Sequence, residues 1–148
     1  MNEFMLREFV IAGAIVAICA IVHIGGLALL AQFLLDRSAQ LETVNTVARR
    51  AFVLMFVFGI VISLHLAQAV IWATFYHGNS LFQDYETALY FSLKTYSTIG
   101  YGDVLLPRSW RLLGGIEGIS GVLLCGVSAA FIFTVVNVLF QRKRKPLS

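Results

Sequence analysis

The chain has 148 residues, of which 59% are hydrophobic and 13% charged, and its formal net charge is +3. A soluble domain carries about a quarter charged residues, so a water-facing surface is excluded and an integral membrane protein is expected. The basic excess is concentrated in one run, Arg142-Lys143-Arg144-Lys145, which on a membrane protein reads as a juxtamembrane anchor and not as a nucleic-acid surface.

The first apolar run, residues 9–35, exceeds the ~20 residues that a helical crossing takes. It is too long for a signal-peptide core and lacks a small-x-small cleavage pattern, so a retained helix is expected. It has no arginine repeat, which speaks against a voltage sensor. Between Ser38 and Arg50, the residues Leu41, Val44, Val47 and Ala48 recur at helical spacing with Ser38 as a candidate N-cap. A short interfacial helix and a plain extension of the next span both fit that pattern.

The second span is expected over residues 51–76 and the third over 112–140. Cys19 and Cys125 lie inside apolar runs, where a lone thiol acts as a small hydrophobe, and no disulfide is expected between them. Residues 77–110 differ in kind. A polar turn, His77-Gly78-Asn79-Ser80, leads to an amphipathic piece over about 84–97 and then to a glycine-punctuated segment ending at Pro107. As a helix that piece is ~20 Å long, short of the hydrocarbon thickness. It is expected to enter and return, which backbone at membrane depth can do only when buried in protein or lining a water-filled path.

Basic residues set the expected orientation. Arg37, Arg49 and Arg50 lie between the first two spans and four more basic residues end the chain. These place the first connection and the C-terminus in the cytoplasm and the N-terminus outside, in a plasma membrane. Trp72, Tyr76 and Trp110 then fall near the outer interface, as aromatic anchors.

The residues that carry chemistry are Thr98-Ile99-Gly100-Tyr101-Gly102-Asp103. A dehydrated monovalent cation needs its hydration oxygens replaced by a stack of protein oxygens. Backbone carbonyls supply one only if successive carbonyls face the same axis. An extended strand alternates them, and glycines at alternate positions relieve this because they accept positive φ. Gly100 and Gly102 provide that alternation, and the Thr98 hydroxyl can add an innermost oxygen. The preceding half-helix ends near Ser97 and turns the negative end of its dipole toward the cation path.

This run resembles the signature of potassium channel pore domains, with isoleucine where valine is commonest, and such a filter is the general case behind the carbonyl-ring account of selectivity. Ala88-Leu89-Tyr90-Phe91-Ser92 is similar to the usual pore helix, and the order of outer helix, pore loop and inner helix matches over about residues 50–140. The resemblance implies an all-α membrane protein: three transmembrane helices with a re-entrant pore helix and filter loop. It implies K+ bound at Thr98, Ile99, Gly100 and Tyr101, and the presence of Tyr101 favours potassium over sodium. One pore loop with no internal repeat makes one wall of a fourfold filter, so a homotetramer in lipid is expected. The chain then divides into an N-terminal span and linker (1–50), a pore domain (51–140) and a basic tail (141–148). A non-conducting accessory subunit and a less selective monovalent cation channel are the alternatives.

Lys94 departs from the commonest pattern of that family, in which an acid or an aliphatic residue is usual here, and a positive charge behind a cation filter is costly unless paired. Asp103 is the expected partner, with Glu117 as a second partner or as an acceptor of a hydrogen bond from the pore helix. Gly114, Gly115, Gly118, Gly121 and Gly126 let neighbouring helices approach closely, and Gly121 is also a candidate hinge. Val122, Cys125, Ala129, Phe133 and Asn137 share one helix face. If that face lines the cavity, Phe133 forms a hydrophobic gate; contact with the outer helix or lipid is the other reading. His23, His65 and His77 have no metal-ligand spacing, and hydrogen bonding to neighbouring helices is their expected role. Gln68 lies one turn from His65, and His77 is a candidate pH sensor. No nucleophile and base converge, so no enzyme and no cofactor beyond permeant K+ is expected. The eight residues after the third span suggest regulation through the filter, the inner helices, lipid, pH or a separate protein.

Overall fold

A computed structural model describes residues 3–37 and 46–141, and these are all helix and loop. The elements are α1 (Glu3–Asp36), α2 (Val47–Gly78), α3 (Tyr85–Tyr96), a 3-10 turn (Arg108–Trp110) and α4 (Arg111–Gln141). Among the described residues, three helical stretches are long and apolar enough to cross a membrane: Met5–Asp36, Val47–Gly78 and Arg108–Phe140. Of the segment expected as an interfacial helix, residues 38–45 lie outside the described residues, and 47–50 form the first turn of α2. The basic run 142–145 also lies outside them.

α2 ends where the polar turn begins. Asn79 donates from its backbone N–H and its Nδ2 to the Phe75 carbonyl at 3.1 and 2.9 Å. Ser80 takes a left-handed φ of 56°, and Leu81 N–H returns to the Tyr76 carbonyl at 3.0 Å. These bonds use carbonyls that a helix end otherwise leaves bare. Asp84 caps α3, accepting from Thr87 N–H at 2.7 Å and from its hydroxyl at 2.9 Å. Twelve residues make α3, about 18 Å at helical rise, too short to cross.

α3 sits between α2 and α4, and α1 packs on α2 and α4 together. α1 and α4 run parallel and in register, because Glu8 meets Leu112 and His23 meets Ser128, offsets of 104 and 105 residues. The core joins all four helices through Ala12, Ile15 and Cys19, then Trp72, Ala73 and Tyr76, then Ala88 and Phe91, and Leu113 and Leu124. Where α1 crosses α2, a Cβ on Gly26 would stand 2.5 Å from the Leu64 side chain, so glycine sets that approach.

Trp72 and Tyr76 are not interface anchors, because both are fully buried within the subunit. α1, α3 and α4 pack around the face of α2 that carries them. The Tyr76 ring stands 5.3 Å from Phe91 and 5.8 Å from Trp72, centroid to centroid. Trp110 is half-buried, with the Arg7 guanidinium 4.8 Å above its ring. Cys19 is buried and Cys125 exposed, and both are free thiols.

Candidate functional site

The segment after α3 is tied back to the end of that helix. Ser97 N–H still bonds to the Leu93 carbonyl at 3.1 Å, and Thr98 N–H bonds to Thr95 at 2.9 Å. The Ile99 and Gly100 N–H groups then both return to the Lys94 carbonyl, at 2.9 and 3.1 Å. The last turn of α3 thus anchors the start of the loop with its own carbonyls.

Positive φ occurs at Thr98 (60°), Gly100 (53°) and Gly102 (77°), with the residues between them in the ordinary range. The two glycines thus take the positive φ for which their spacing is suited. Thr98 is the position the glycine pattern missed. A β-branched residue at positive φ is a strained outlier costing of order 1–3 kcal/mol, and such residues cluster at functional sites. Ile99 and Tyr101 are exposed on the subunit, at 55% and 74%, so the subunit itself leaves one side of this segment uncovered.

Behind the segment stands a charged pair. Lys94, its side chain only 4% exposed, forms an ion pair with Asp103. Tyr90 donates its hydroxyl to the other Asp103 oxygen at 2.7 Å, and the Lys94 ammonium lies 4.9 Å from the Tyr90 ring centroid. The Lys94 hydrogen bond, followed by that of Tyr90, holds the Asp103 carboxyl well below its usual range, at about 2. Tyr90 was legible as the residue one turn before Lys94 on the same helix face.

Glu117, fully buried on α4, is engaged elsewhere. It accepts from the Tyr76 hydroxyl of α2 at 2.7 Å and from the Ser92 hydroxyl of α3 at 2.5 Å. It therefore accepts from the pore-helix segment and ties three helices together. The acid that sequence reasoning passed over is Glu8, 3% exposed on α1. It accepts from Leu112 N–H at 3.3 Å in the first turn of α4, where a helix leaves donors unsatisfied and favours negative charge. Each of these groups is a polar residue inside or beside an apolar run, which was its only signal.

The glycines of α4 divide into two sets. A Cβ on Gly121 would lie 2.1 Å from the Tyr96 carbonyl oxygen, and one on Gly118 would lie 3.3 Å from that of Thr95. Gly114 approaches Phe91, whereas Gly115 and Gly126 meet nothing within 4 Å in the subunit. Gly121 therefore permits the closest approach of α4 to the end of α3. Along α4, Val122, Cys125, Ala129 and Phe133 are all exposed, Phe133 at 67%, so their face does not pack on α2.

His65 does not bond to Gln68, whose Nε2 donates to the Leu64 carbonyl at 3.1 Å. It reaches other helices instead, to Tyr96 and Ser128. His77 is exposed, its ring edge-on to Tyr85 at 5.9 Å. Among the described residues, no three His, Cys, Asp or Glu side chains are grouped to hold a metal ion.

Set against known proteins, residues 50–138 match a family model described as ion channel. No curated protein and no solved structure matches the chain.

Proposed function

Because the chain belongs to the ion channel family, we propose that it is one subunit of a homotetrameric channel selective for K+. As a member of that family it is a membrane-embedded ion channel and not an enzyme. Its filter is Thr98, Ile99, Gly100, Tyr101 and Gly102, and K+ is held by the carbonyls of the first four and the Thr98 hydroxyl.

The observation that carries this reading is the alternation of positive φ at positions 98, 100 and 102. Four copies of such a segment around one axis surround an ion with oxygens at hydration-like distances. Each copy donates one wall, and closure buries the exposed Ile99 and Tyr101 side chains. The carbonyl end of α3 faces the same path and favours a cation there. Asp103, paired with Lys94, fixes the far end of the segment to α3. The positive charge behind the filter is thus neutralised where it stands.

In this reading residues 1–50 form an added span and linker, 51–140 the pore domain and 141–148 a basic cytoplasmic tail, with the N-terminus outside the plasma membrane. The exposed face of Val122, Cys125, Ala129 and Phe133 lines the inner cavity, and Phe133 is its narrowest hydrophobic ring. Gly121 serves close packing, since the Tyr96 carbonyl occupies the space beside it.

The test is ion flux through purified protein in liposomes. Rb+ and K+ uptake far above Na+ uptake is expected. Comparable Na+ and K+ permeability would make it a less selective cation channel, and no flux at all would make it an accessory subunit.

A further inference from the structure

Four side chains from four helices form one chain of hydrogen bonds that the conduction pathway does not use. His23 of α1 and His65 of α2 both direct Nε2 at the Ser128 hydroxyl of α4, at 2.8 and 3.0 Å. His65 Nδ1 meets the Tyr96 hydroxyl of α3 at 2.9 Å. The two imidazole centroids are 4.6 Å apart. His23 is fully buried, and its Nδ1 has no partner.

Proton counting shows what this chain can do. A hydroxyl brings one proton and two lone pairs, and a neutral imidazole one N–H and one acceptor nitrogen. In one arrangement Tyr96 donates to His65 Nδ1, His65 Nε2–H donates to Ser128, and Ser128 donates to His23 Nε2. In the other, His23 Nε2–H donates to Ser128, Ser128 donates to His65 Nε2, and His65 Nδ1–H donates to Tyr96. Both satisfy every contact along the chain and differ only in direction. An added proton also fits: a His65 imidazolium donates to Tyr96 and to Ser128 at once. A second proton does not, because two imidazolium rings this close would repel in a poorly solvated interior.

The other groups around the pair offer no counter-charge. Cys19 lies one turn before His23 on α1, and Cys125 three residues before Ser128 on α4. Glu117 lies eleven residues from Ser128, ~16 Å along α4, and is already bound by Tyr76 and Ser92. On α2 the next polar group is the neutral Gln68.

We propose that His23, Ser128 and His65 form a one-proton switch acting on the Tyr96 end of the pore helix, and that proton uptake there lowers K+ conduction. It rests on the potassium-channel reading. Uptake places a positive charge in each subunit beside the residue that precedes Ser97 and the filter, where a cation must be attracted. It also reverses the Tyr96 hydroxyl bond from donor to acceptor in one of the two neutral arrangements. The Tyr96 backbone has no room to absorb the change, since Gly121 backs directly onto its carbonyl.

Rb+ flux into liposomes holding the full chain, at symmetric pH from 8 to 5, tests the switch across the range in which histidine titrates. Wild-type flux should fall by about tenfold for one unit of difference in proton affinity between conducting and non-conducting states. His65→Gln should remove the pH response, and His77→Asn, which changes the exposed histidine, should retain it. A flat wild-type profile overturns the switch alone, as does a response that survives His65→Gln or disappears in His77→Asn. No flux at any pH overturns the channel reading beneath it. Should His65→Gln fail to assemble, 15N-histidine spectra of the wild type decide: one shared proton on the His23–His65 pair supports the switch, and two independent titrations or none overturn it.

Discussion

Replacing Gly121 with alanine separates a packing glycine from a hinge. The added Cβ would stand 2.1 Å from the Tyr96 carbonyl oxygen and 3.1 Å from its carbonyl carbon. Both are backbone atoms, so no side chain can rotate away, and the helices must part by at least about 1.3 Å to restore ordinary contact. Overpacking of this kind costs typically 1–3 kcal/mol. The opposing term is helix propensity, where alanine gains about 1 kcal/mol over glycine. At Gly59, where nothing lies within 4 Å in the subunit, only that gain applies. Gly121→Ala should therefore lower the thermal stability of the assembled protein and Gly59→Ala leave it level or raised, read by size-exclusion chromatography after heating. Because Tyr96 precedes the proposed filter by two residues, and sites of this kind tolerate only about 0.5 Å of misplacement, Gly121→Ala should also lose most K+ flux. Wild-type stability with altered opening alone would refute the packing argument and restore the hinge.

Gly100→Ala should abolish or degrade K+ flux, because its φ of 53° opposes a Cβ even though the surrounding space is open. Lys94→Met and Asp103→Asn should each damage stability and conductance, and the double change should cost less than their sum; strict additivity would contradict the pair. The stability gap between wild type and Asp103→Asn should also follow pH. The Asp103 carboxyl is depressed to about 2 by Lys94 and Tyr90, below its ordinary value near 3.9. Its contribution is therefore full above about pH 4 and is lost as pH falls through about 2. A gap that closes already near pH 6, measured by thermal unfolding in detergent, would show that Asp103 is not held by these partners.

Much of the architecture was legible because it depends on short windows of sequence. Three apolar runs exceed the bilayer thickness and the piece before Thr98 falls short of it, so three spanning helices and one short α3 followed from length and hydropathy. Gly100 and Gly102 marked positive φ because only glycine accepts it freely. The Lys94–Asp103 proximity could be argued from helical and extended rise, nine residues apart.

What the sequence could not decide is which polar atom meets which across helices far apart in the chain. Trp72 and Tyr76 have the composition and depth of interface anchors, but α1, α3 and α4 close over them and they become core. Thr98 joins the glycines at positive φ because the Lys94 carbonyl binds both N–H groups that follow it. Glu8 caps α4 from 104 residues away, and His23 shares Ser128 with His65 from another helix. Hydropathy and backbone preference are summed over neighbouring residues, so they are written locally. Partners for buried polar groups are set by helix register and crossing, which emerge only when the four helices pack.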